Sequence, residues 1–167
     1  MISVSNIPQV ILDMLLLVMR HGKAEPKKPG LRDEERRLTD EGRSDVEYVA
    51  KILPNKPSRI LCSPMVRAKE TAEIVAKVHG VKYEVVRELL PENVSVDSLG
   101  KLVTEENTLL IGHAPSIEDF ISELIGGGRV KMKAGAVAGL DVEEFKRGGA
   151  KLVYLITPQI ARKLVES

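Results

Sequence analysis

Three short, mostly apolar runs are the clearest pattern in the chain, and each run ends abruptly in polar residues. The runs cover residues 14–19, 59–62 and 108–111, and they are followed by Arg20-His21-Gly22, Ser63-Pro64 and Gly112-His113. Apolar runs without alternation are typical of strands buried on both faces, as in a mainly parallel sheet covered by helices. The pattern therefore predicts three buried strands with polar groups at their carboxyl ends.

Segments with apolar residues at helical spacing fill the gaps between these strands. Three such segments cover residues 46–53, 65–76 and 117–125. Pro54 ends the first predicted helix, and Gly80 ends the second in a left-handed conformation. We expect Ser63 to cap the second helix, with Pro64 at its first position. Three consecutive glycines at positions 126–128 close the third helix.

The remaining strand signals complete an α/β pattern. Residues 82–87, 137–142 and 151–156 are predicted to be strands, and the last two form a hairpin through Arg147-Gly148-Gly149. Alternating strands and helices predict a doubly wound, mainly parallel sheet with helices on both faces. No repeat or linker divides the chain, so residues 14–167 are predicted to form a single domain.

The predicted fold brings polar residues from separate segments to one place. Ligands of doubly wound sheets bind in a crevice outside the carboxyl ends of the strands. The residues expected at that edge are Arg20, His21, Ser63, Arg67 and His113. The sequence therefore predicts a single binding crevice built from three strand ends.

The amino-acid composition limits the classes of molecule that the chain is expected to bind. The chain has 167 residues and a net charge of +1, so no basic field attracts nucleic acid or an anionic membrane. Tryptophan is absent, which removes a stacking platform for single-stranded nucleic acid. The single cysteine, Cys62, cannot form an internal disulfide and lies in an apolar run. We interpret it as a core residue and expect a cytoplasmic protein without nucleic-acid or membrane partners.

The residue types expected in the crevice suit phosphoryl chemistry. The guanidinium groups of Arg20 and Arg67 match phosphate oxygens, and Arg67 also lies near a predicted helix N-terminus, which favours an anion. A neutral imidazole at His21 is a competent nucleophile, and nearby cations oppose its protonation. His113 can carry a proton or stabilise developing charge. The chain has only three histidines, and arginines beside His21 repel a cation, so we expect no metal and no cofactor.

These segments resemble the histidine phosphatase superfamily, whose fold is phosphoglycerate mutase-like. Arg20-His21-Gly22 resembles the signature whose histidine is phosphorylated, residues 63–72 the element with a phosphate-binding arginine, and Gly112-His113 the element with a second active-site histidine. Residues 37–42 are similar to the segment that opens the first helix. Order and spacing over residues 14–158 resemble the small, uninserted SixA-type phosphohistidine phosphatases. The resemblance implies a metal-independent phosphatase with His21 as nucleophile and a phosphorylated substrate.

The resemblance leaves the general acid and the substrate open. Larger relatives carry a glutamate that protonates the leaving group, and Glu88 is the nearest candidate in this chain. A solvated charge at the end of the predicted strand 82–87 is an equally good interpretation of Glu88. A protein phosphohistidine phosphatase is the leading hypothesis. The alternatives are a small-molecule phosphomonoesterase of broad specificity and a non-catalytic phosphoryl-binding module.

Two segments are interpreted without a catalytic role. Basic residues between positions 23 and 37 are interleaved with acidic ones, so we interpret this segment as a solvated loop rather than a docking surface. Residues 1–13 precede the point where the resemblance begins. Their apolar character predicts an N-terminal extension that packs outside the domain and away from the crevice, or against another subunit.

Overall fold

The computed structural model describes residues 14–167, and a six-stranded sheet lies at its centre. The strands are β1 (Leu15–Arg20), β2 (Arg59–Cys62), β3 (Tyr83–Val85), β4 (Thr108–Gly112), β5 (Val137–Val142) and β6 (Ala150–Ile156). Their order in the sheet is β3-β2-β4-β1-β5-β6. The first four strands in this order pair in parallel, whereas β5 and β6 pair antiparallel. The predictions of a mainly parallel sheet and of a terminal hairpin are therefore confirmed.

Five helices cover both faces of this sheet. They are α1 (Asp40–Ile52), α2 (Val66–His79), α3 (Val96–Leu102), α4 (Ser116–Leu124) and α5 (Pro158–Glu166). One face packs against α1, α2 and α5, and the other packs against α3 and α4. Successive residues of β1 point to opposite faces, and Leu16 and Leu17 are both completely buried. Burial on both faces is the physical reason for the unbroken apolar run in β1.

Some predicted element boundaries are wrong. Ser63 does not cap the second helix, which begins at Val66 after Met65. The backbone N–H of Ser63 instead donates to the carbonyl of Ile111, so the chain is still paired with β4 at this point. The strand predicted over residues 82–87 is only β3, and a short 3-10 helix, Arg87–Leu89, follows it. Helices α3 and α5 have no counterpart in the sequence analysis.

Other features of the described chain bear on the sequence-based expectations. Cys62 is completely buried, and burial raises the pKa of its thiol to about 12, so it is a core residue as predicted. None of the helices in residues 14–167 is both long and apolar enough to cross a membrane. The proposed extension, residues 1–13, lies outside the described residues.

Candidate active site

Polar side chains converge at the carboxyl ends of β1, β2 and β4. Arg20 ends β1 and His21 follows it, while His113 follows β4 and Arg67 is the second residue of α2. His21, Arg67 and His113 are at most 8% exposed. The rings of His21 and His113 lie 5.1 Å apart, and Arg67 Nε lies 3.3 Å from His21 Nε2. The strand ends therefore bring these side chains together, as the sequence predicts.

Two hydrogen bonds determine which nitrogen of His21 carries the proton. Nδ1 lies 2.7 Å from the carbonyl oxygen of Gly22, which can only accept, so Nδ1 carries the hydrogen. Nε2 faces Nε–H of Arg67, which can only donate. In this tautomer Nε2 keeps its lone pair and is the nucleophilic atom of the ring.

Both histidines of the cluster are neutral at physiological pH. Burial is the main cause that lowers the pKa of His21 from 6.5 to about 4, and the charges of Arg67, Arg20 and Arg36 contribute in the same direction. Burial also lowers the pKa of His113 to about 3. A neutral imidazole is the reactive form, so the site keeps His21 ready for nucleophilic attack.

Acid should destabilise the protein through these two imidazoles. In the unfolded chain they bind protons near pH 6.5, whereas in the folded protein they stay neutral to about pH 4 and about pH 3. Between these limits the unfolded state binds more protons, so lower pH favours unfolding. The free energy of unfolding should be lower at pH 5 than at pH 7 by about 2 kcal/mol for each imidazole.

Chemical denaturation at pH 5 and pH 7 measures this difference. In the variant His21→Gln the difference should shrink by about 2 kcal/mol, because glutamine does not titrate. An unchanged difference would mean that His21 titrates alike in the folded and unfolded states.

Arg67 is held by a residue that the sequence analysis did not identify. Its Nη1 donates to the backbone oxygen of Asp33 at 2.7 Å, and its Nη2 donates to Asp33 Oδ2 at 3.2 Å. Arg36 Nη1 donates to the other carboxylate oxygen at 2.9 Å. Hydrogen bonding from Arg36 is the main cause that lowers the pKa of Asp33. Asp33 is therefore an ionised acceptor between two guanidinium groups, and the loop interpreted as solvated contributes directly to the site.

Close backbone packing fixes the loop that carries His21. A Cβ on Gly22 would lie 2.7 Å from Val46 Cγ2, and a Cβ on Gly42 would lie 2.1 Å from the oxygen of Lys23. Only glycine permits these approaches, so the loop after β1 rests directly on α1. The N–H of Gly22 also donates to the hydroxyl of Thr71 at 3.1 Å, which ties the same loop to α2.

Arg20 is anchored from the segment between α4 and β5. Its Nη1 donates to the carbonyl of Met132 at 3.0 Å, and the N–H of Gly135 donates to the backbone oxygens of Arg20 and His21. Within residues 14–167, Arg20 Nε and His113 Nδ1 are buried without a hydrogen-bond partner. Buried polar atoms are rarely left unpaired, and oxygens of a bound phosphoryl group can satisfy both nitrogens.

Glu88 is not hydrogen-bonded to this cluster in the described part of the chain. It lies half-buried in the 3-10 helix Arg87–Leu89, and no hydrogen bond or ion pair to its side chain is found among the described residues. A Cβ on Gly112 would lie 3.9 Å from the carbonyl of Leu89, so this short helix packs beside the end of β4. The role of Glu88 as general acid stays a prediction.

A cavity of about 430 Å³ opens between α4 and the segment that follows it. Its lining residues are Pro115, Glu118, Asp119, Ser122, Gly128, Arg129, Val130 and Lys131. Glu118 accepts from the N–H of Met132 at 2.7 Å, and the carbonyl of Met132 accepts from Arg20. The cavity walls are therefore connected to the cluster. No group of three or more His, Cys, Asp or Glu side chains in residues 14–167 is arranged to hold a metal ion.

Comparison with known proteins agrees with this geometry. Residues 16–92 match the family model for the histidine phosphatase superfamily (branch 1). The matched residues include most of β1, all of α2 and the short helix with Glu88. The structure of the protein histidine phosphatase SixA complexed with tungstate superposes with a TM-score of 0.75 at 26% identity, over 87% of this chain and 98% of that chain. The family model and the SixA structure both point to the histidine phosphatase superfamily. Together they indicate a hydrolase that acts on phosphoryl groups.

Further similarities support the SixA-type branch of this superfamily. A phosphohistidine phosphatase SixA homolog of Haemophilus influenzae is 28% identical over 130 residues, which are 68% of this chain and 78% of that protein. An alpha-ribazole phosphatase structure from Shigella flexneri has a TM-score of 0.67 at 19% identity, over 87% of this chain and 97% of that chain. The second similarity shows the fold alone. Small-molecule phosphatases therefore share this architecture.

Proposed function

We propose that this chain is a protein phosphohistidine phosphatase that forms a covalent phosphohistidine on His21. The observation that carries the proposal is the neutral His21 ring, whose Nε2 lone pair faces Arg67 at 3.3 Å. Arg20 and Arg67 bind the phosphoryl oxygens, and His113 stabilises the charge that develops on them. A non-catalytic phosphoryl-binding module is less well supported, because all four of these residues are present and buried together, Arg20 only in part.

The reaction proceeds in two displacements at phosphorus. The substrate phosphoryl group first displaces His21 Nε2 as the acceptor of Arg67 Nε–H, which frees the lone pair. Nε2 then forms a bond to phosphorus as the bond to the leaving nitrogen breaks, and the leaving imidazole takes a proton from water. In the second step water attacks phosphorus as the bond from phosphorus to Nε2 breaks, a proton of that water returns to solvent, inorganic phosphate leaves, and His21 regains its neutral form.

Within residues 14–167, neither Asp33 nor Glu88 is bonded so as to give a proton to a leaving group, which favours a substrate whose leaving group needs no acid. Asp33 is ionised between Arg36 and Arg67, so it has no proton to donate. Glu88 makes no hydrogen bond or ion pair with the cluster among the described residues. Phosphate esters with poor leaving groups need acid assistance, whereas the leaving nitrogen of phosphohistidine is readily protonated by solvent. Two similar proteins are named a phosphohistidine phosphatase SixA homolog and a protein histidine phosphatase SixA, and these names point to phosphohistidine as the substrate class.

A small-molecule phosphomonoesterase is the second candidate, and the cavity beside α4 favours it. With a volume of about 430 Å³, this cavity is large enough for a small organic group, and hydrogen bonds through Met132 link its wall to Arg20.

Comparison of substrates tests the proposal. We expect kcat/KM for a phosphohistidine peptide to exceed that for each member of a panel of alkyl phosphate esters by about a hundredfold or more, since only the peptide has a leaving group that needs no acid. The assay is run with EDTA, because arginines and imidazoles are expected to suffice. The second candidate would be favoured if one small ester were hydrolysed faster than the peptide.

Glu88→Gln tests the general acid directly. If Glu88 protonates the leaving group, the variant should lose about a hundredfold in kcat on alkyl esters but less than about threefold on phosphohistidine or aryl phosphates. Glu92→Gln is the matched control, because it changes a nearby exposed carboxyl in the following 3-10 helix, Pro91–Asn93. A uniform effect of Glu88→Gln across leaving groups would assign Glu88 a binding or structural role.

A further inference from the structure

A buried serine at the end of β2 contacts the second histidine of the site. Ser63 Oγ lies 2.7 Å from His113 Nε2, and Ser63 is completely buried. The same oxygen accepts a weak bond from the backbone N–H of Met65 at 3.3 Å. No other acceptor for the Ser63 hydroxyl is found among residues 14–167.

The polar groups around His113 can be satisfied in two ways, and one leaves fewer atoms unpaired. If His113 carries its proton on Nε2, that N–H donates to Ser63. The Ser63 hydroxyl hydrogen and the Nδ1 lone pair then both lack a partner. If the proton is on Nδ1, the Ser63 hydroxyl donates to Nε2, and only the Nδ1–H group is unpaired. Because buried hydroxyl groups normally donate a hydrogen bond, the second arrangement is favoured.

We propose that Ser63 is a positioning residue that holds His113 in the Nδ1–H tautomer, so that the ring offers a neutral donor to the phosphoryl group. The tautomer follows from the hydrogen bonds alone, whereas the donation to phosphoryl oxygen rests on the proposed function. In the opposite tautomer, the Nδ1 lone pair would face a negatively charged oxygen and repel it. Ser63 thus determines whether His113 attracts or repels the substrate.

The charge state of His113 makes this tautomer important. Burial lowers the pKa of His113 to about 3, so the free site holds a neutral ring with only one N–H group. The position of that single hydrogen decides which of the two ring nitrogens can donate. A preorganised donor of this kind is worth about a hundredfold or more in kcat when it meets charge that develops in the transition state.

Nitrogen NMR on the protein without substrate tests the tautomer independently of catalysis. With ¹⁵N-labelled histidine, we expect wild-type His113 to show a protonated Nδ1 and an unprotonated Nε2 at pH 7. In Ser63→Ala the acceptor nitrogen loses its donor, and we expect the Nε2–H form to become populated. Ser116→Ala is the matched control, because the Ser116 hydroxyl donates to the backbone oxygen of His113 at 2.7 Å and does not touch the ring.

Kinetics with the same variants test the consequence for phosphoryl transfer. Ser63→Ala should lower kcat on a phosphohistidine peptide by about tenfold to a hundredfold, with a much smaller change in KM, while Ser116→Ala stays within about twofold of wild type. Orthovanadate, which mimics five-coordinate phosphorus, should inhibit Ser63→Ala more weakly than wild type. Thermal unfolding of both variants reports on any general loss of structure.

Two results would overturn the inference. One is an Nε2–H tautomer of wild-type His113, which can be observed even if Ser63→Ala does not fold. The other is a tautomer change in Ser63→Ala with kcat and vanadate inhibition unchanged. Failure of the proposed function would instead appear as turnover that survives His21→Ala, and it would leave the tautomer measurement intact.

Discussion

Replacement of His21 by alanine should lower turnover by about a thousandfold or more, with the fold intact. The imidazole supplies the atom that bonds to phosphorus, and no other histidine can take its place. His113 is neutral, but its Nε2 is bonded to Ser63 and its ring centre lies 5.1 Å from that of His21. Removal of Nε2 therefore removes the covalent route rather than weakening it. Steady-state kinetics on a phosphohistidine peptide measure the loss.

His79→Ala is the matched control for this prediction. His79 Nε2 bonds to the backbone of Ala50 at the far end of α2, so its loss should affect stability rather than turnover. The circular dichroism spectrum of His21→Ala should be like that of wild type. Turnover by His21→Ala within about tenfold of wild type would exclude His21 as the nucleophile.

Replacement of Arg67 by lysine should lower kcat/KM by about a hundredfold, although the positive charge is kept. Arg67 uses three nitrogens at once, and it contacts His21 through Nε and Asp33 through both Nη atoms. A single ammonium group cannot reproduce this planar arrangement, so the phosphoryl group loses a bidentate partner and the loop with Asp33 loses its anchor. The loss should appear on every substrate, since the transferred group is common to all of them.

Arg59→Lys is a control at the opposite end of β2. Arg59 donates to the carbonyl of Leu102 and to Glu84, away from the strand ends that form the site. Inhibition by tungstate, the oxyanion in the related SixA structure, should weaken in Arg67→Lys and be unchanged in Arg59→Lys. If Arg67→Lys bound tungstate as tightly as wild type, Arg67 would have no part in phosphoryl binding.

The apolar pattern predicted the centre of the fold because burial on both faces leaves a strong trace in sequence. Strand β1 has no alternation, and its residues Leu15, Leu16 and Leu17 all pack into the core. Glycine signals were equally reliable, since Gly80 takes a positive φ of 66° at the end of α2. The short helices α3 and α5 were missed. Helix α5 places its apolar residues Ile160, Leu164 and Val165 at the surface, so its pattern did not indicate burial.

The sequence also predicted which side chains meet, because the ends of neighbouring parallel strands lie at one edge of the sheet whatever the loops do. Arg20, His21 and His113 follow directly from this rule, and Arg67 follows from its place at the start of α2. Two arginines and two histidines are the residue types that suit phosphoryl transfer, so the side chains themselves indicate this class of reaction. Chain order and residue type therefore determined which side chains meet and which class of reaction they suit.

Only the tertiary structure decided how these side chains are held. Asp33 begins a short 3-10 helix, Asp33–Glu35, in a segment of mixed charge, and nothing in its sequence neighbours distinguishes it from a solvated carboxylate. Asp33 holds Arg67, which is 34 positions away in the sequence. Ser63, which the sequence predicted as a helix cap, instead contacts His113, 50 positions away. Hydrogen bonds between distant residues depend on the packing of whole elements. The sequence by itself thus determined the sheet and the edge at which these side chains meet, whereas the tautomers and the contact of Asp33 with Arg67 depend on three-dimensional packing.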